Sequence, residues 1–237
     1  MENNKNHNTS KMAKKAEGIF CLVYLIYIFI LAVYMLYFAG KTASLQKTTT
    51  YRLGITLALL LFFGDSFHLI PRIVSAFRGP VHRQTFYLGL GNLISSITMT
   101  VFYPVLVSGC HIIEYDSLEK ASRQLIWLLI LLVVRIGLLQ FPQNRWFDGQ
   151  GDERWAVIRN IPFAVIGVIS VRSLLSIAFT AIQYPPSFYI QLAVLSIFSF
   201  LFYFPAAIWG RKKPKLGMLM IPKTICYMWM IALIAFI

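Results

Sequence analysis

The chain has 237 residues, of which 58% are hydrophobic and only 13% are charged, whereas a soluble domain carries about 25% charged residues. Charged residues fall mostly in short segments between long apolar runs, which excludes a soluble domain and predicts a helical membrane protein. The net charge of +13 arises mainly beside these runs, where Lys and Arg meet anionic lipid headgroups. Because Gly-rich phosphate loops and zinc-finger spacings are missing, we predict no nucleic-acid partner.

The apolar runs predict an all-α, polytopic seven-transmembrane-helix bundle. Residues 1–17 are polar and rich in Asn and Lys, and they are predicted to form a disordered cytoplasmic tail before a transmembrane domain of residues 18–237. Residues 110–124 are predicted to be an ordinary solvated loop. The predicted helices cover residues 18–39, 51–76, 82–109, 125–141, 161–182, 188–209 and 216–237.

Basic residues in the tail and loops predict how the chain is oriented. Lys and Arg total 13 on the side of the N-terminus and 5 on the other side. The excess of positive charge marks the cytoplasmic side of a membrane. We therefore expect a multi-pass plasma-membrane protein with its N-terminus in the cytoplasm and its C-terminus outside.

Four tyrosines lie on roughly one side of the first predicted helix. Tyr24 and Tyr37 are expected near the two membrane interfaces, which tyrosine favours. Tyr27 and Tyr34 lie deeper and are expected to hydrogen-bond to neighbouring helices.

The second predicted helix carries the only acid that the sequence places within the hydrocarbon. Asp65, His68 and Arg72 are spaced i, i+3 and i+7, so they share one helix face. Such groups are costly in lipid unless partners, water or a ligand satisfy them. Pro71 lies four residues after Phe67 and predicts a kink beside this polar face.

Other helices supply further polar groups at similar depth. With a rise of about 1.5 Å per residue, Asp65 and Arg172 fall near the midplane and the remaining intramembrane ionisable groups fall in the cytoplasmic half. In the third helix, Asn92, Ser96 and Tyr103 share one face, and nearby glycines permit close helix packing. The residues predicted to bind a ligand are Asp65, His68, Arg72, Asn92, Ser96, Tyr103, Arg135, Arg172 and Lys223.

Four basic side chains in this set face one acid, and an uncompensated charge of about +3 cannot stay dry. The sequence leaves three explanations open. The other cations extend to the inner headgroups while Asp65 pairs with Arg172. Alternatively, the cations line a cavity open to the cytoplasm and bind carboxylate or phosphate. In the third explanation, Asp65 and His68 act as an acid–base pair on a bound substrate.

Asp65 and His68 could also form half of a metal site, since ligands at i and i+3 can share an ion. A third ligand is lacking at that depth, because His82 lies nearer the cytoplasm and His111 lies on the opposite side. We therefore predict no metal site, and the sequence identifies no cofactor.

The preferred function is binding or transport of a small anionic or amphipathic solute through a net-positive polar site in the cytoplasmic half of the bundle. A membrane-embedded enzyme acting on a lipid or isoprenoid substrate is the first alternative. A sensor or accessory subunit without chemistry is the second. The expected surroundings are the lipid bilayer, and the sequence leaves open a homo-oligomer or a partner membrane subunit.

Overall fold

The computed structural model describes residues 2–79, 83–119, 122–148, 152–210 and 212–237. Within these residues the regular structure is helical, and seven segments are long and apolar enough to cross a membrane, as the sequence predicts. A 3-10 turn, Pro142–Asn144, follows the fourth helix. The helices are α1 (Glu2–Ala39), α2 (Leu45–Arg78), α3 (Gln84–Tyr115), α4 (Ser122–Gln140), α5 (Glu153–Thr180), α6 (Pro186–Trp209), α7 (Pro214–Gly217) and α8 (Met220–Phe236).

The first helix differs from its predicted bounds. The backbone of α1 is helical from Glu2, whereas the sequence predicts a disordered tail up to residue 17. Residues 11–17 consist of Lys, Met, Ala and Glu, which favour helix. Extending a helix that is already nucleated costs much less than starting one.

The solvated loop predicted at residues 110–124 is wrong over its first half, because α3 continues to Tyr115. Glu114 explains this extension. Its side chain is buried and accepts hydrogen bonds from the backbone N–H groups of Ile182 and Gln183 and from the hydroxyl of Tyr189. Glu114, whose sequence context is typical of a loop, thus binds the backbone that connects α5 and α6.

The last predicted span, residues 216–237, is divided in the structure. α7 ends at Gly217 and α8 begins at Met220. Pro222 has no N–H to donate to the carbonyl of Met218, so the usual i to i−4 hydrogen bond is missing at the division. That carbonyl instead accepts from the backbone N–H of Ile221 at 3.0 Å.

Six helices form a ring in the order α1, α2, α3, α5, α6 and α8. α4 packs outside this ring against α3 and α5. We call the end of the bundle that holds the start of α1 and the end of α2 the basic end. Glu17 and Arg72 pair there at 3.2 Å, and Glu153 and Lys212 pair there at 2.9 Å. At the opposite end, Glu114 contacts the connection between α5 and α6.

Glycines bring α2 and α3 into close contact, as predicted for Gly91. A Cβ added at Gly91 would lie 2.4 Å from the Cα of His68, and one at Gly64 would lie 2.0 Å from Oγ1 of Thr98. A Cβ added at Gly89 would instead lie 1.9 Å from the carbonyl oxygen of Trp146. The backbone that carries His68 is therefore positioned directly by α3.

Replacing Gly91 with alanine is expected to destabilise the bundle, since the added methyl group meets backbone atoms that cannot rotate away. We expect a loss of about 1–3 kcal/mol. The matched control is Gly137→Ala in α4, where nothing lies within 4 Å of an added Cβ and alanine favours helix. Thermal unfolding in detergent should rank Gly91→Ala below wild type and Gly137→Ala at or above it. Equal melting temperatures would contradict the close approach.

Candidate functional site

Asp65 links three helices at the centre of the bundle. Its side chain on α2 is buried, with 6% of the residue exposed. Oδ2 accepts a hydrogen bond from the hydroxyl of Tyr24 on α1 at 2.7 Å, and Oδ1 accepts one from the hydroxyl of Ser95 on α3 at 2.8 Å. The carboxylate of α2 is thus hydrogen-bonded to both neighbouring helices.

His68 lies one turn further toward the basic end. Its Nδ1 is 3.9 Å from Oδ1 of Asp65, which is beyond hydrogen-bonding distance. The atom is buried and has no hydrogen-bond partner among the residues that the structure describes. The imidazole as a whole is 17% exposed. His68 therefore combines a partly exposed ring with one buried nitrogen, Nδ1, that lies near a carboxylate.

Lys223 lies in the first turn of α8, after the break between Gly217 and Met220. It is 8% exposed, and its Nζ lies 5.2 Å from the ring centroids of both Tyr203 and Tyr227. The charges of Asp65 and Arg135 both act on it. The division of the last span therefore carries a cation into the bundle interior.

Arg135 on α4 is the largest side chain with no exposed surface. Its Nη2 donates to Oδ1 of Asn160 at 3.2 Å and to the hydroxyl of Tyr203 at 3.3 Å. The guanidinium carbon lies 3.5 Å from the ring centroid of Phe163, a cation–π contact. Nε and Nη1 have no hydrogen-bond partner within the described part of the chain.

Tyrosine hydroxyls connect these charged groups. Tyr203 donates to Oδ1 of Asn160 at 3.1 Å. The Tyr103 hydroxyl lies 3.1 Å from that of Tyr227 and donates to Ser199 at 3.3 Å. We call the whole set the polar cluster. Its members are Tyr24, Asp65, His68, Ser95, Tyr103, Arg135, Asn160, Ser199, Tyr203, Lys223 and Tyr227.

The bundle is loosely packed between this cluster and the basic end. Residues 71–76 of α2, residues 202–205 of α6 and residues 219–222 around the start of α8 are all half-exposed. A helix turns once in 3.6 residues, so each of these runs covers every direction, including the inward one. Toward the opposite end, by contrast, Leu57, Leu61, Phe102 and Leu106 are fully buried. The polar cluster is therefore less tightly enclosed toward the basic end than toward the opposite end.

Four of the predicted site residues lie outside the cluster, and two of these are arginines. Arg72 pairs with Glu17 and is 39% exposed. Arg172 is exposed on the outer surface of α5, while the adjacent Ser173 is buried and donates to Gln124 of α4. The expected pair between Asp65 and Arg172 is not formed among the described residues. The structure therefore places two of the four predicted cations, Arg135 and Lys223, in the polar cluster.

The polar face predicted for α3 is only partly in the cluster. Tyr103 is fully buried and belongs to it. Asn92 and Ser96 are half-exposed. Ser96 donates its hydroxyl proton to the carbonyl of Asn92 at 2.7 Å, so this bond stays within its own helix.

Several members of the cluster are missed by the sequence prediction. Tyr24 was expected at a membrane interface but binds Asp65 in the interior, whereas Tyr27 and Tyr34 are half-exposed. The sequence predicts that Asn160 lies in a loop. In the structure α5 begins at Glu153, eight residues earlier than predicted, so Asn160 lies within this helix. Tyr203 and Tyr227 lie inside apolar spans. A hydroxyl group within such a span is the sequence signal that could have assigned both tyrosines to the cluster.

The described residues contain no group of three or more His, Cys, Asp or Glu side chains that could hold a metal ion. His82, the third ligand considered from the sequence, lies outside the residues that the structure describes. The predicted lack of a metal site stays a prediction.

No family model, curated protein or solved structure matches the chain. Function must therefore be argued from the chemistry of the polar cluster.

Asp65→Asn is expected to destabilise the protein, because Lys223 would lose the negative charge that acts on it. An amide also accepts hydrogen bonds from Tyr24 and Ser95 less strongly than a carboxylate. We expect a loss of about 1–3 kcal/mol. The control is Asp116→Asn, at an exposed position with φ 52°, which asparagine tolerates. If Asp65→Asn and Asp116→Asn change the melting temperature equally, Asp65 does not link the helices.

Proposed function

We propose that this chain is a multi-pass plasma-membrane protein that binds or transports a small anionic or amphipathic solute at the polar cluster. The N-terminus is placed in the cytoplasm and the C-terminus outside by the distribution of Lys and Arg. The observation that carries the proposal is Arg135, which is fully buried with two unpartnered guanidinium nitrogens.

The environment of Arg135 favours an anion. Its two protein acceptors, Asn160 and Tyr203, are neutral, so no carboxylate in direct contact balances its charge. A buried cation without a counter-ion is costly, and an anionic ligand supplies both the missing charge and the missing acceptors. Guanidinium groups bind carboxylate and phosphate with charge-assisted hydrogen bonds.

Lys223 and the surrounding aromatic rings extend the site. Lys223 lies 5.2 Å from the ring centroid of Tyr203 and Arg135 donates to its hydroxyl, so the two cations share one neighbouring side chain. Phe163 packs against Phe200 with ring centroids 4.8 Å apart and against Tyr103 at 5.8 Å. These rings suit the apolar part of an amphipathic anion.

The enzyme alternative has less support from the geometry. Both oxygens of Asp65 already accept hydrogen bonds, and Nδ1 of His68 lies too far away to bond directly to the carboxylate. A general acid and base need hydrogen-bonding reach to the group they serve.

Arg135→Gln is expected to weaken anion binding about tenfold or more, because each charge-assisted hydrogen bond contributes about 1.5–3 kcal/mol. We would measure binding of methanesulfonate and benzoate by calorimetry in lipid nanodiscs. Uptake of radiolabelled benzoate into proteoliposomes should fall with binding. The matched control is Arg172→Gln, which removes the same charge from an exposed position and should bind as wild type does.

Arg135→Met tests whether lost binding reflects lost folding. Removing a buried charge that lacks a counter-ion should leave the melting temperature at or above that of wild type. Equal loss of binding in Arg135→Gln and Arg172→Gln would refute the proposed site, as would unchanged binding in both.

A further inference from the structure

The charges of the polar cluster set which anion it can balance. Arg135 and Lys223 each contribute one positive charge, and Asp65 contributes one negative charge. With neutral His68 the sum is one positive charge, which a monoanion cancels. A dianion would leave one negative charge in a poorly solvated interior, and uncompensated buried charge is strongly unfavourable.

His68 is the group that could correct this imbalance. Its unpartnered Nδ1 points to within 3.9 Å of Oδ1 of Asp65, so a proton there would face a carboxylate. The ring is 17% exposed, and it lies on the side of Asp65 nearer the open basic end. Imidazole is also the side chain that exchanges protons most readily near neutral pH.

We propose that the polar cluster takes up a dianion together with one proton, which Nδ1 of His68 holds against Asp65, and a monoanion without a proton. This inference rests on the proposed function and specifies its ligand class. The proton comes from water at the basic end and converts imidazole to imidazolium, with no other bond made or broken. Asp65 is then balanced by His68, and the charges of Arg135 and Lys223 together balance the dianion.

The groups around His68 support this assignment. On its own helix, Asp65 and Arg72 act on it, and Lys223 acts from α8. From α3, it meets the Gly91 backbone, and Ser95 reaches its neighbour Asp65. On α1, the titratable side chains near this region are Glu17, Cys21 and Tyr24.

These neighbours divide by charge. Two cations, Arg72 and Lys223, oppose the imidazolium, and Glu17 is already paired with Arg72. Asp65 alone draws a proton to His68 in the ligand-free cluster. A bound dianion therefore adds the negative charge that favours protonation.

Sulfate and methanesulfonate make a matched pair of probes. Both present tetrahedral sulfur with anionic oxygens, neither titrates near neutral pH, and they differ by one charge. Calorimetry on the wild-type protein in nanodiscs, repeated in buffers of different ionisation enthalpy, counts the protons taken up with each ligand. We expect about one proton per sulfate and none per methanesulfonate. The Kd of sulfate should fall up to about tenfold for each unit that the pH is lowered, and that of methanesulfonate should stay level.

The outcomes separate this inference from the proposed function. If methanesulfonate binds and depends on Arg135 while sulfate takes up no proton or does not bind, the inference fails and the proposed function stands. Equal proton uptake with both anions also overturns the inference. If neither anion binds to the wild-type protein, the inference fails, and the proposed function fails too unless benzoate binds and depends on Arg135.

Two histidine variants assign the proton. His68→Gln should abolish proton uptake with sulfate and remove the pH dependence of its Kd. His111→Gln, which changes a buried histidine at the opposite end of the bundle, should keep both. Proton uptake that persists in His68→Gln would overturn the assignment. If His68→Gln does not fold, the proton count on the wild-type protein decides the inference.

Discussion

The balance of charge around Asp65 is the constraint on which the interior of this bundle depends. One carboxylate accepts hydrogen bonds from α1 and α3 and acts on the ammonium group that α8 supplies. Four helices thus meet at one negative charge. In a medium of low dielectric constant such an interaction is strong, and its absence is costly. The apolar side chains around Asp65 must pack so that groups from all four helices can reach its carboxylate.

Backbone features place the charged groups that surround this carboxylate. Gly91 lets the α3 backbone contact His68, which fixes the imidazole relative to Asp65. α7 ends at Gly217 and α8 begins at Met220, and Pro222 lacks the N–H that would bond to the carbonyl of Met218 between them. Both features are local consequences of residue type: a missing side chain in the first case and a missing N–H in the second. Together they determine where a cation and a proton acceptor lie.

The sequence predicts the seven spans well because length and apolar composition decide them, and neither depends on tertiary packing. It fails on the direction in which a side chain points. Arg135 and Arg172 both lie inside apolar spans, yet Arg135 is fully buried although α4 packs outside the ring, and Arg172 is exposed although α5 belongs to it. In a membrane both faces of a helix are apolar, so periodicity does not distinguish the lipid-facing side from the interior. For the same reason Tyr24, Tyr203 and Tyr227 could not be assigned to the site.

Neutral acceptors distinguish Arg135 from a structural ion pair. A carboxylate in contact with the guanidinium would satisfy its charge and leave little affinity for a ligand. Asn160 and Tyr203 instead orient the group through one nitrogen and leave its charge uncancelled. Phe163 covers its face by a cation–π contact, which lowers the cost of burial without supplying an acceptor. The single acid is placed next to His68 and within electrostatic reach of Lys223. This separation keeps one cation permanently available to an anion, and it makes the second cation's availability depend on whether His68 carries a proton.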